Sequence, residues 1–134
     1  MPITYLVDDG TERVMVTATA DVRLEDMVAF VTTLAARNAM HFPQRFDARG
    51  ASLLLSAEDV RRYVPLMAQL RAAHGCARTA FIADTDVSFG MARMYATLAG
   101  ESDAGFMVYR SLSEGNEYLG WHELPQRYSF NGDT

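Results

Sequence analysis

Phe81-Ile82-Ala83-Asp84-Thr85-Asp86 places two carboxylates just beyond an apolar run. Two acids at the carboxyl end of a parallel strand could hold Mg²⁺ while one of them attacks a phosphoryl group, with Arg93 as the nearby cation. A second acidic pair, Asp8-Asp9, ends another β-branched run, and Asp47 could serve it as a later partner. His74 and Cys76 flank Gly75, but no second Cys or His pair follows at zinc spacing, so no metal is expected. His41 and His122 fall where a solvated histidine is the simpler reading. All 12 basic residues are arginine. The absence of lysine removes Schiff-base chemistry and the amine that phosphoryl-transfer sites commonly use. No catalytic residue and no cofactor are therefore expected, and an Asp84/Asp86 phosphohydrolase is the least favoured reading.

These groups must be positioned by a chain of 134 residues, enough for one ordinary domain. Residues 1–124 are expected to form it, with 125–134 a polar tail. A hydrophobic content of 49% with 22% charged residues describes a globular chain. No apolar run is long enough for a transmembrane helix or a secretory leader. The single Cys76 has no partner for an internal disulfide, which fits a reducing cytoplasm. Net charge is −5, and no dense basic stripe offsets it, so nucleic acid is not an expected partner.

Ile3–Val7 and Val14–Thr19 are β-branched and separated by Asp8-Asp9-Gly10-Thr11, predicting a hairpin. Leu24, Met27, Val28, Val31, Leu34 and Ala35 recur at helical spacing, giving a first helix to about Asn38. Ala39–Gln44 reads as a loop and Arg45–Ala48 as a short strand. Ser56-Ala57-Glu58-Asp59 has capping-box form and opens a second helix to His74-Gly75, which Pro65 should kink. Thr79–Ala83 is a strand, and one aspartate of the following pair should cap a third helix running to about Ala99. Phe106–Tyr109 is a strand, and Ser111-Leu112-Ser113-Glu114 opens a last helix towards Trp121. The order β-β-α-β-α-β-α-β-α predicts an α/β domain with a mixed, mostly parallel sheet covered by helices.

Tyr5-Leu6-Val7-Asp8-Asp9 resembles the acidic pair of response-regulator receivers, but strand-patterned residues follow it and the family's lysine is missing. Asp84-Thr85-Asp86 resembles the nucleophile loop of haloacid-dehalogenase phosphotransferases, which also require a lysine and use the first strand. A fuller match lies in Arg78–Asp84 followed by Val87-Ser88-Phe89-Gly90-Met91-Ala92-Arg93-Met94-Tyr95, which resembles the SpoIIAA-like family. Phe46-Asp47-Ala48-Arg49-Gly50, Ser56–Val60 and Phe106–Trp121 match its remaining segments, although His122 stands where the family's Trp-Leu ending has Leu. The resemblance spans roughly residues 3–121. It implies a STAS-type fold, similar to CRAL-TRIO domains that carry apolar ligands, and a binding role without catalysis.

Two binding readings follow. In the first, Met91, Met94, Tyr95 and Leu98, with Phe89, form a pliable apolar face on the third helix, beside the small residues Ala92, Ala96 and Ala99. A third helix able to lift would uncover a site for an apolar molecule such as a fatty acid, or for a membrane surface, placing the protein in the cytoplasm or peripherally at a membrane. In the second, phosphorylation of Ser52 or Ser56 near a helix N-terminus controls binding to a protein partner, as the STAS resemblance implies. The antagonists' Asp-Ser pair is absent, however, and Ser56 already suffices as an N-cap. Tyr128 and Phe130 suggest a tail ordered by packing, and a homodimer is expected.

Overall fold

The computed structural model describes residues 2–122. The expected tail, 125–134, with Tyr128 and Phe130, lies outside them. Ten elements follow in the order β1 Ile3–Asp8, β2 Arg13–Val22, α1 Leu24–Ala36, β3 Gln44–Leu53, α2 Ala57–His74, β4 Thr79–Ile82, α3 Asp86–Ala99, a 3-10 turn Gly100–Asp103, β5 Phe106–Tyr109 and α4 Leu112–Leu119. The strands form one sheet in the order β1-β2-β3-β4-β5. The first pair is antiparallel and the others are parallel. This is the mixed sheet that the alternating pattern predicts.

Asp8 staples the hairpin: its Oδ1 accepts from the backbone N–H of Gly10 at 3.0 Å and of Thr11 at 3.3 Å. Asp9 pairs with Arg37 at 3.1 Å. The acidic pair thus serves the turn. β1 gains one residue, Asp8, and two strands outrun their predicted lengths by more. β2 continues past Thr19 through an irregularity between Thr17 and Thr19, with Ala20 at φ 57°. β3 is ten residues long, where four were expected at Arg45–Ala48. Its second half, including Gly50, pairs with the end of β2, so cross-strand bonding extends a segment that side-chain pattern alone leaves ambiguous.

Successive parallel connections in one direction put α1, α2 and α3 on the same face of the sheet. There Val14, Val16, Phe46 and Phe81 meet Phe30, Leu34, Val60 and Met67 in the main core. Rings cross that face in series, Tyr5 to Phe30, Phe30 to Phe46, Phe46 to Phe81 and Phe81 to Phe106, with centroids 4.8–5.8 Å apart. α4 packs on the opposite face, where Leu119 and Trp121 join Ala80 and Ile82. Gly115 permits that approach, because a Cβ there would stand 2.4 Å from Ile82 Cδ1. The guanidinium groups of Arg13 and Arg45 lie over the Trp121 ring at 4.8 and 5.5 Å.

α2 passes through Pro65 without a break. Pro65 is exposed, as is Arg61, whose carbonyl loses its helical N–H partner to the proline ring. Ser56 caps α2 as expected: its Oγ accepts from the Asp59 N–H at 3.0 Å, while its own N–H donates to Asp59 Oδ2 at 2.9 Å. At α3 the expected aspartate cap is replaced by Thr85, whose Oγ1 accepts from the Ser88 N–H at 3.2 Å. Asp86 occupies the first turn of the helix and pairs with Arg110 at 3.0 Å.

Candidate ligand-binding site

Between the sheet and its three covering helices lies a partly open cavity of about 70 Å³. The sheet supplies its floor through Phe46, Leu53, Phe81 and Phe106. α1 contributes Met27, Phe30, Val31 and Leu34, and α2 contributes Val60, Tyr63 and Met67. α3 contributes Met91, Ala92 and Tyr95. Each helix reaches the space through an apolar stripe at i, i+3, i+4 or i+7. Four methionines, Met27, Met40, Met67 and Met91, line it, and their unbranched thioethers adapt to irregular occupants.

Polar groups gather at one part of this wall. The Arg71 guanidinium and the Asp103 carboxylate are almost fully buried and paired, Nε to Oδ1, at 3.2 Å. Arg71 also donates to the carbonyl oxygens of Met40 and Gly75 and to Thr79 Oγ1. Asp103 Oδ2 accepts from the Tyr95 hydroxyl at 2.8 Å. Gln44, in register with Thr79, lines the cavity beside them. Burial, and after it the Asp103 charge, push the phenols of Tyr63 and Tyr95 far above the usual tyrosine range. An open groove on the outer surface, between the first turns of α1 and α2, shares Leu24 and Asp59 with the cavity wall. Its other flanks are Arg23, Glu25, Val28, Ala29, Leu54 and Arg62.

The site residues read from α3 divide. Met91 and Tyr95 line the cavity. Phe89 and Met94 are half-buried against the core, and Phe89 is covered by the Arg110 guanidinium at 4.2 Å. Leu98 is 45% exposed. The face that α3 turns inward is Ser88, Ala92, Tyr95 and Ala99, about one position round from the methionine stripe. Small side chains let the helix lie close to the sheet, while the longer methionines are displaced to its flanks.

Ser52 is exposed on β3 and Ser56 is held in its capping box. Asp84 and Asp86 are both exposed, and Arg93 stands over Phe89, not beside them. Among the described residues no three His, Cys, Asp or Glu side chains converge as a metal-holding group. No helix among the described residues is long and apolar enough to cross a membrane.

The contributions of α1 and α2, and the Arg71–Asp103 pair, escape a reading centred on α3. One signal was present: Val60, Met67 and Arg71 share the inward face of α2, so an arginine continues an apolar stripe. A charge in that position needs a buried partner. Its partner, Asp103, lies 32 residues further on, and only the fold brings it near.

No family model matches the chain, and no curated protein matches it. Among solved structures it is similar to an uncharacterised DUF3478 protein with a SpoIIAA-like fold from Shewanella loihica PV-4. That likeness has a TM-score of 0.57 at 14% identity and covers 87% of this chain and 93% of the other. The architecture built up above, one hairpin followed by alternating units on an ordered five-strand sheet, is therefore a SpoIIAA-like fold.

Proposed function

We propose that the protein is a non-enzymatic binding module that takes an apolar molecule into the space between α1–α3 and the sheet. The carrying observation is that space itself, walled by aliphatic, aromatic and methionine side chains contributed by four parts of the fold. Well-packed domains rarely keep such a void, because each missing contact forfeits dispersion energy. Its aliphatic, aromatic and methionine walls suit an apolar guest. At about 70 Å³ the void has roughly half the ~150 Å³ of a cavity that takes up benzene. A chain-like guest therefore requires the helices to part. Leu24 and Asp59 belong to both the cavity and the outer groove, which favours entry between α1 and α2 over lifting of α3. α3 is tied down through Tyr95 to Asp103 and through Asp86 to Arg110.

Native mass spectrometry on gently purified protein tests the reading. The expected result is a mass adduct, or one that appears on adding fatty alcohols or detergents and is lost in Val31→Phe, which fills the cavity. No adduct under any of these conditions overturns it.

A further inference from the structure

Three charged side chains line the cavity: Arg71, Asp103 and Asp59. Arg71 and Asp103 neutralise each other, and Asp59 leaves the wall one negative charge in excess. Tyr63 and Tyr95, the remaining titratable groups on the wall, are neutral phenols. A carboxylate entering here would sit in a low-dielectric space beside an aspartate, with the one guanidinium already spoken for. An alkylammonium would lose its hydration, and both aspartates are already engaged, Asp103 by Arg71 and Tyr95 and Asp59 by the Ser56 N–H. A neutral oxygen fares better. Of the five N–H donors on a guanidinium, four on Arg71 are engaged by Asp103, Met40, Gly75 and Thr79. One remains for a hydroxyl or carbonyl oxygen, and Gln44 adds a carboxamide close by.

Resting on the binding role proposed above, we infer that the site selects uncharged apolar molecules carrying one hydroxyl or carbonyl oxygen and rejects the corresponding carboxylates. The polar cluster reads the head of the ligand, and the methionine and aromatic wall takes its body. Arg71 is a specificity determinant whose charge is cancelled in advance, so it donates a hydrogen bond without attracting an anion.

Titration of the full chain with hexanol, octanol and decanol, each against the matched carboxylate and alkylamine at neutral pH, tests this. The alcohols should bind, and the carboxylates should bind up to about a hundredfold more weakly, since protonating a carboxylic acid at that pH costs about that factor and caps the gap. Asp103→Asn should narrow the gap by uncovering the Arg71 charge. Asp59→Asn, at the mouth, should narrow it less, and it serves if the Asp103 variant does not fold. Carboxylates or amines binding as tightly as alcohols would overturn the selectivity while leaving the apolar site standing. Binding by none of the three classes would remove both.

Discussion

At the scale of single residues, polar side chains here do structural work that pattern alone can mistake for chemistry. Ser56 is the clearest case: its hydroxyl holds the Asp59 N–H, and its own N–H is held in return. Replacing it by Ala should cost about 1 kcal/mol in chemical denaturation and leave ligand binding unchanged. Asp47 offers a second test. Burial alone would raise its carboxyl, but hydrogen bonds from the Arg49 side chain and backbone, with the Arg49 and Arg45 charges, hold it below the usual carboxylate range. Its contribution is therefore present above the unfolded value, about 3.9, and disappears as pH falls through the folded one. Asp47→Asn should be less stable than the parent near neutrality, with the difference closing in acid. Denaturation midpoints that differ equally at every pH would refute this.

At the scale of elements, much was legible because periodicity and capping chemistry are local. The hairpin turn at Asp8–Thr11, the Ser56 box and the alternating order all follow from residues close in sequence. What was not legible depends on partners far away. β3 gains its second half from pairing with β2, and the inward face of α3 is chosen by the room above the sheet. Of the candidate site residues named on α3, Met91 and Tyr95 line the cavity, while its walls from α1 and α2 carry no signal of a cavity in the local pattern. One element-scale prediction concerns the start of β5. A Cβ on Gly105 would stand 2.4 Å from the Ala77 carbonyl oxygen, and the Gly105 carbonyl itself accepts from the Thr79 N–H. Gly105→Ala should therefore cost about 1–3 kcal/mol, as overpacking does. A second concerns the bond from α3 to the 3-10 turn. The native chain keeps the Tyr95 proton after an unfolded chain, with a value of about 10, has released it, so stability falls as pH rises beyond that point. Tyr95→Phe should lose about 1 kcal/mol at neutral pH and decline less steeply in alkali. Equal slopes for the two proteins would contradict the assignment.

At the scale of the whole molecule, the sheet divides two unlike environments. One face carries α4 and Trp121 over Ala80 and Ile82. The other carries three helices over aromatic rings and keeps a void with a polar corner. The methionines report on this division directly. Met27, Met40, Met67 and Met91 border the void, while Met15 packs on the α4 side and Met107 is exposed. Methyl-labelled methionine NMR during titration with xenon, and then with decanol, reads the occupied space residue by residue. Saturable shifts confined to the four bordering methyls are the predicted result. Silence at those four, or equal shifts at Met15 and Met107, would show that no guest enters beneath the helices.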